Sequence, residues 1–131
     1  MLYVLVALAG VVGAVCRYLI GMLIPSHGFP LATLMLNLTG CFLLAIVMRY
    51  LARLPRVSSN MVTVIGTGFV GSYTTFSTFS LESIQLIEHQ MYITALLYIG
   101  ASLIGGLLFT WLGFVCSERL LARKEARTNA R

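Results

Sequence analysis

The chain has 131 residues, of which 59% are hydrophobic and 10% charged, and its mean hydropathy is +0.93. A water-soluble domain of this size would carry roughly 25% charged residues. This composition excludes an ordinary soluble domain and indicates a small integral membrane protein. A net charge of +5 can signal nucleic-acid binding, but in a chain with several apolar segments it is better explained by membrane topology.

Four apolar segments are each long enough to cross a bilayer, which requires about 20 residues. They predict an all-α integral membrane protein with four transmembrane helices in a single membrane domain, residues 1–131. The predicted spans are residues 2–24, 31–51, 61–87 and 92–116, followed by a basic C-terminal tail at 117–131. The first segment lacks a preceding basic region and exceeds the apolar core of a signal peptide, so we interpret it as a retained helix.

The basic residues are concentrated on one side of the predicted membrane domain. Eight of the nine Lys and Arg lie in or beside the loop after the second span and the C-terminal tail. The opposite loops contain His27 and His89 but no Lys or Arg. Under the positive-inside rule, this bias predicts that both termini lie in the cytoplasm. We expect a multi-pass protein of the cell inner (plasma) membrane.

The third predicted span contains a hydroxyl-rich sequence near its middle. Six of the nine residues from Ser72 to Ser80 are Ser or Thr, and they follow Gly71. Non-helical backbone at membrane depth is tolerated only where it is buried in protein or lines a watery cavity. We therefore predict that the third helix is broken near its middle, with Gly71 and Thr74 in a non-helical turn, and that the break carries a site.

Polar side chains in the other spans add neutral hydrogen-bond donors to this region. Asn37 must find partners within hydrocarbon, and Tyr98 and Ser102 lie one helical turn apart. The candidate donors are Asn37, Thr74, Thr75, Ser77, Thr78, Tyr98 and Ser102. Neutral donors suit the passage of an ion because binding must be weak enough to permit release. The alternative for each donor is a structural hydrogen bond between helices.

Two phenylalanines and two charged residues complete the candidate set. Phe76 and Phe79 share one helix face, where they either pack in the core or present the positive edges of their rings to a small anion. Arg17 and Glu82 either lie at a pore mouth or hold a structural network. Carbonyl groups freed at the break could also coordinate a cation.

The sequence contains no arrangement typical of an enzyme active site. It has no metal-ligand cluster, no nucleophile with a paired base, no phosphate loop and no paired carboxylates, so we predict that the protein is not an enzyme. Cys16, Cys41 and Cys116 lie within spans without redox or metal-binding spacing, and we interpret them as small packing residues.

Three motifs in successive spans resemble those of the Fluc (CrcB) fluoride channel family, and the likeness covers nearly the whole chain. They are Gly10-x-x-Gly13-Ala14-x-x-Arg17-Tyr18, Thr33-Leu34-x-x-Asn37-x-x-Gly40 and Gly68-x-x-Gly71-x-x-Thr74-Thr75-Phe76-Ser77-Thr78-Phe79-Ser80. The resemblance implies a fluoride-specific channel that passively exports cytoplasmic fluoride and lowers its toxicity. It also implies an antiparallel, dual-topology dimer in the lipid membrane.

The same resemblance implies roles for individual residues. Phe76 and Phe79 match the pore phenylalanines and Asn37 the polar pore residue, while Ser77 and Thr78 belong to the same motif. Tyr98 and Ser102 match a polar track, which has Gly106 where the family often has a further Ser. The backbone carbonyls of Gly71 and Thr74 match positions that hold a structural sodium ion at the dimer interface.

Two alternatives remain open from the sequence. The strong charge bias favours one fixed orientation, which would require a heterodimer with an oppositely oriented homologue, whereas insertion in both orientations would permit an antiparallel homodimer. The alternative function is that of a small multidrug-resistance-type exporter. That class relies on an acidic residue in the first span, and residues 1–24 contain no Asp or Glu.

Overall fold

The computed structural model describes residues 1–25 and 28–129, the last three as backbone only, and this part of the chain contains helices and no strand. His27, Arg131 and the side chain of Arg127, which belong to the predicted loops and tail, lie outside the described residues. The α-helices are α1 (Leu2–Leu23), α2 (Leu31–Arg49), α3 (Ser59–Thr63), α4 (Gly71–Tyr73), α5 (Phe76–Glu88) and α6 (Tyr92–Asn129). The prediction of an all-helical protein is confirmed.

Within the described residues, three helices, α1, α2 and α6, are long and apolar enough to cross a membrane. They occupy the sequences of the first, second and fourth predicted spans. Helix α6 is longer than that fourth span because it continues from residue 116 to Asn129. Its 38 residues correspond to a length of about 57 Å, which is nearly twice the ~30 Å hydrocarbon thickness of a bilayer. The start of the predicted basic tail is therefore a continuation of the last helix.

The sequence of the third predicted span forms several short helical pieces. Helix α3 begins at a cap in which Ser58 Oγ accepts the Met61 N–H at 3.3 Å. It leads into a π-helical segment, Val64–Val70, then into α4, and after an interruption into α5. The interruption consists of Thr74 (φ −84°, ψ 162°) and Thr75 (φ −148°, ψ 121°), both in extended backbone.

The prediction that Gly71 lies in a non-helical turn is wrong. Its backbone is helical (φ −61°, ψ −31°), and its N–H donates to the carbonyls of Gly66 and Gly68. In a π-helix each N–H donates to the carbonyl five residues earlier. This pairing includes Gly71, so the helix continues through it. The helix ends only at Thr74, whose N–H still donates to the Val70 carbonyl at 3.0 Å.

Glycines set the close approach of α1 to the π-helical segment. A methyl group added at Gly13 would overlap the Phe69 carbonyl, and one at Gly68 would lie 2.7 Å from the Val6 carbonyl oxygen. By contrast, a methyl group at Gly21 would meet no atom within 4 Å. The first two glycines therefore permit direct backbone contact between helices, as small residues do in membrane proteins, and Gly21 does not.

Helix α2 packs along α6, again through small residues. Added methyl groups would lie 2.8 Å from Leu38 Cδ2 at Gly105 and 2.8 Å from the Phe42 carbonyl at Gly113. The best-buried apolar cluster lies at the other end of this pair, where α5 packs onto α6. It consists of Leu34, Leu86, Ala95 and Tyr98, with Phe29, Leu38 and Phe79 against it.

Most apolar side chains on α1 are exposed. Gly13 is its only fully buried residue, and large side chains such as Leu8, Val11 and Leu19 are more than half exposed. Continuous apolar surface of this extent is not stable in water. It requires lipid or another protein surface against it.

Candidate functional site

The centre of the site is a pairing between a side chain of α2 and the backbone of the interruption. Asn37 Oδ1 accepts the Thr75 N–H at 2.9 Å, and Asn37 Nδ2 donates to the Thr75 carbonyl at 3.0 Å. In a continuous helix the Thr75 N–H would donate to the Gly71 carbonyl. The Asn37 carboxamide therefore replaces the helical hydrogen bond that the Thr75 N–H would otherwise make.

Thr75 also begins the second half of the interrupted segment by capping α5. Its Oγ1 accepts the Thr78 N–H at 3.2 Å and donates to Thr78 Oγ1 at 2.9 Å. The hydroxyl of Ser77 lies 3.3 Å from the same oxygen. Thr is a favoured N-cap residue because its oxygen satisfies an otherwise unpaired N–H. The hydroxyl-rich sequence is thus explained in part by the cap.

Thr74 is held by three other residues. Its Oγ1 donates to the Val70 carbonyl at 3.1 Å, and Arg17 Nη1 donates to the Thr74 carbonyl at 3.4 Å. Its methyl group occupies the space that a side chain at Gly40 would fill. Arg17 and Gly40, from α1 and α2, therefore fix the Thr74 backbone from two sides.

The interruption opens a groove of about 350 Å³ on the surface of the chain. Its polar lining comes from α2, the interruption and α6, and its apolar lining includes both phenylalanines. The lining residues are Asn37, Gly40, Cys41, Leu44, Gly66, Val70, Gly71, Thr74, Thr75, Phe76, Phe79, Ser102 and Leu103. None of these described residues carries a charge.

The two phenylalanine rings form one continuous part of the groove wall. Their centroids are 5.9 Å apart and their planes are inclined at 38°. Phe79 also contacts the Tyr98 ring, with a centroid separation of 5.2 Å, whereas Phe76 is 80% exposed. Phe79 is thus anchored in the core, and Phe76 extends from it along the open side of the groove.

Glu82 is held in a hydrogen-bond network beside the groove. Its two carboxylate oxygens accept hydrogen bonds from Thr33 Oγ1 at 2.9 Å and from the Tyr98 hydroxyl at 2.7 Å. Tyr98 is fully buried. A buried hydroxyl bound to a carboxylate does not face the groove, although the sequence placed Tyr98 and Ser102 on one polar track. Ser102 does line the groove, and its hydroxyl donates to the Tyr98 carbonyl at 2.7 Å.

A second groove, of about 290 Å³, also reaches the interruption. Arg17, Thr33 and Thr78 line it, and Thr75 borders both grooves. The predicted site residues are therefore divided between two surfaces. Asn37, Phe76, Phe79 and Ser102 face one of them, and Arg17 and Thr78 face the other.

The two backbone positions that the resemblance assigns to sodium differ in their surroundings. The Gly71 carbonyl has lost the Thr75 N–H as its α-helical donor, and Gly71 is exposed. The Thr74 carbonyl accepts a long bond from Arg17 but keeps a second lone pair. Carbonyl oxygens freed at helix breaks suit a sodium ion, so these two groups fit part of a coordination shell.

Two features of the site were not predicted from the sequence. The sequence predicts Cys41 to be a packing residue, yet it lines the groove one turn after Asn37 on α2. Its distance of four residues from Asn37 indicates that both side chains share one helix face. Tyr73, directly before the interruption, has its hydroxyl 3.0 Å from Thr39 Oγ1. The local sequence around Tyr73 does not indicate which residue of another helix its hydroxyl meets.

These helices, joined by short loops and packed through glycines, define a small multi-pass membrane protein. A family model described as CrcB-like protein, Camphor Resistance (CrcB), matches residues 4–114. The chain therefore belongs to the CrcB family.

Several relatives match almost the entire chain. "Fluoride-specific ion channel FluC 1" of Bacillus anthracis is 48% identical over 126 residues, covering 94% of this chain and 92% of the relative. The protein of that name in Bacillus cereus is 47% identical, with coverages of 94% and 88%. "Fluoride-specific ion channel FluC 2" of Listeria monocytogenes is 45% identical over 127 residues, with coverages of 97% and 98%.

Proposed function

We propose that this protein is a fluoride-specific ion channel that lets cytoplasmic fluoride leave the cell passively. The observation that carries the proposal is the interruption at Thr74 and Thr75, which Asn37 braces and which opens an uncharged, donor-bearing groove. In this account, residues 59–88 form the third of four membrane crossings, so the interruption lies at membrane depth.

The chemistry of the groove favours a small anion. The N-terminus of α5 begins at the groove with Phe76, and a helix N-terminus carries partial positive charge. Phe76 and Phe79 line the wall, and the edges of their rings are electropositive. Without a cationic side chain in the lining, the anion is attracted but not retained, as rapid conduction requires.

The direction of transport follows from the membrane potential. A potential of 100 mV changes the energy of a monovalent ion by about 2.3 kcal/mol across the membrane. A negative interior therefore drives fluoride outward without any coupled ion. The helix of the first crossing, Leu2–Leu23, contains no acidic residue, which disfavours the proton-coupled exporter considered from the sequence.

The groove of one chain does not enclose an ion path on all sides. We therefore include a second, antiparallel subunit in the proposal. Phe76 and most of α1 are exposed, and the groove is open along one side. An inverted copy laid over this side would complete the pore. Gly71 and Thr74 would then offer their carbonyl oxygens to a sodium ion shared with the partner, and the ion would link the two subunits.

Whether the partner is identical or a homologue depends on orientation. The basic residues lie near one end of the helices, namely Arg49, Arg53, Arg56 and those in the extension of α6. This distribution favours one fixed orientation with cytoplasmic termini, and therefore pairing with a homologue of opposite orientation. Cysteine labelling of a Thr128→Cys variant, in cells that express only this chain, tests this choice. Labelling from one side supports fixed insertion, and labelling of about half the molecules from each side supports a homodimer.

The direct test of the function is fluoride efflux from liposomes that contain the purified chain alone. We expect passive loss of fluoride, measured with a fluoride electrode, and no comparable loss of chloride. Failure of the chain alone, followed by efflux when an oppositely oriented homologue is added, would support the channel and the heterodimer together.

A further inference from the structure

A groove at the basic end of the molecule lies outside the site described above. It separates the end of α2 from α6 and has a volume of about 500 Å³. Its lining combines apolar and aromatic side chains with arginine, namely Arg49, Trp111, Phe114, Val115, Glu118 and Arg119. Trp111 is 60% exposed and Phe114 is 41% exposed, so the apolar part of the groove faces outward.

The positions of these residues along the helices place the groove at a membrane surface. Trp111 is about 28 Å from Tyr92 along α6 at 1.5 Å per residue, close to the ~30 Å thickness of the hydrocarbon layer. Arg49 lies at a similar distance, about 27 Å, from Leu31 at the start of α2. Trp and Tyr are enriched at the two membrane interfaces. The groove therefore passes from the acyl-chain region into the headgroup region.

The charges in the groove leave it positive. Glu118 Oε1 accepts a bond from Arg49 Nε at 2.5 Å and lies 3.7 Å from Arg53 Nη1. The groove lining itself holds two arginines, Arg49 and Arg119, and one carboxylate, that of Glu118. The Glu118 bond uses Nε and thus does not engage the terminal nitrogens of Arg49, which carry four N–H donors. A planar pair of such donors matches the oxygen atoms of a phosphate group.

We propose that this groove binds an anionic phospholipid, with its phosphate at Arg49 and Arg119 and its acyl chains along Trp111 and Phe114. The positive charge selects an anionic headgroup, and the apolar wall directly beneath it accommodates the chains. Basic pockets between membrane helices are suited to lipid headgroups in this way. Glu118 holds Arg49 in place and also disfavours the entry of a fully ionised, soluble anion.

Native mass spectrometry of the purified protein in detergent tests the proposal, with phosphatidylglycerol and phosphatidylcholine as probes. We expect bound phosphatidylglycerol and markedly less phosphatidylcholine. The double variant Arg49→Gln/Arg119→Gln should bind phosphatidylglycerol about 25-fold more weakly, since each arginine near a membrane surface contributes about fivefold. The control Arg56→Gln removes one charge at the same end but outside the groove, so its affinity should stay within about twofold of the unaltered protein.

Further measurements decide the remaining outcomes. Equal binding of the two lipids, or an equal loss in Arg56→Gln and Arg119→Gln, would overturn the proposal. If inorganic phosphate bound as tightly as phosphatidylglycerol, the groove would be a site for free phosphate and the lipid assignment would be wrong. If the double variant failed to fold by circular dichroism, Arg119→Gln and the charge-retaining Arg119→Lys would give the same comparison. The former should lose about fivefold in affinity, and the latter should retain most of it.

Discussion

Asn37 and Thr75 are joined by two hydrogen bonds of nearly equal length, 2.9 and 3.0 Å, which use both polar atoms of the carboxamide and both polar backbone groups of Thr75. This side chain from α2 completes a backbone that has left the helix. Because unpaired peptide groups are costly in a low-dielectric setting, the two residues form one structural unit. The shape of the groove depends on this pairing.

Replacing Asn37 with Ala should destabilise the protein as well as reduce fluoride flux. The change leaves the Thr75 N–H without a partner, at about 1–3 kcal/mol for a buried group. It also removes one bond to the Thr75 carbonyl, which as the N-cap carbonyl still accepts the first hydrogen bond of α5. Thermal unfolding in detergent measures the effect, with Asn60→Ala as the control because Asn60 is exposed on α3. An Asn37→Ala protein of normal stability but no flux would mean that Asn37 acts on the ion and does not hold Thr75.

Phe76→Ile and Phe79→Ile should each reduce fluoride flux by up to about tenfold, if the ring edge acts on the ion with the ~0.5–1.5 kcal/mol typical of a quadrupole contact between two rings. Isoleucine keeps apolar bulk and removes the electropositive edge. Phe109→Ile is the matched control, since Phe109 lies on α6 and does not line the groove. Full flux in both single variants, with normal expression, would show that the rings serve only in packing.

Gly13→Ala should weaken the packing of α1, whereas Gly21→Ala should not. A methyl group at Gly13 overlaps the Phe69 backbone, and one at Gly21 meets nothing within 4 Å. Overpacking of this kind costs about 1–3 kcal/mol, while Ala in place of Gly in an open helix gains up to about 1 kcal/mol. The apparent melting temperatures of the two variants should therefore move in opposite directions, and equal shifts would contradict the contact.

Sodium should raise the thermal stability of the assembled protein in proportion to the logarithm of its concentration above the binding constant. Thr74→Ala keeps the carbonyl oxygen and should keep this dependence. Gly71→Val adds a β-branched side chain beside the other carbonyl oxygen and should weaken the dependence on sodium. The control is Gly100→Val, at a position where an added side-chain carbon meets no neighbour within 4 Å. Equal stability in sodium and N-methylglucamine chloride, after long equilibration, would argue against the ion.

The sequence predicts the long helices well because each is a continuous apolar segment of membrane length. Hydroxyl residues also indicate the interruption to within a few positions, since Ser and Thr are favoured at helix caps. The exact position escapes prediction because it depends on Asn37, 38 residues earlier in the chain. The π-helical segment Val64–Val70 mixes aliphatic residues and glycine with Thr67 and Phe69, and it carries no local signal for its wider turn.

The candidate site illustrates the same limit. Helical spacing correctly relates Tyr98 to Ser102 along α6, but it does not indicate that the Tyr98 hydroxyl is bound by Glu82 of α5. The division of the site residues between two grooves likewise follows from tertiary packing, since α2 lines both grooves and α1 lines only the one with Arg17. Such partners are brought together by the fold and cannot be read from one segment.

The most direct test of the central claim is fluoride efflux from liposomes whose membrane potential is clamped at zero with potassium and valinomycin, without a proton gradient. The account predicts that fluoride still flows down its concentration gradient and that an imposed potential then changes the rate and can reverse the direction of flow. Loss of all transport at zero potential despite the fluoride gradient, or a requirement for a proton gradient, would contradict a passive fluoride channel.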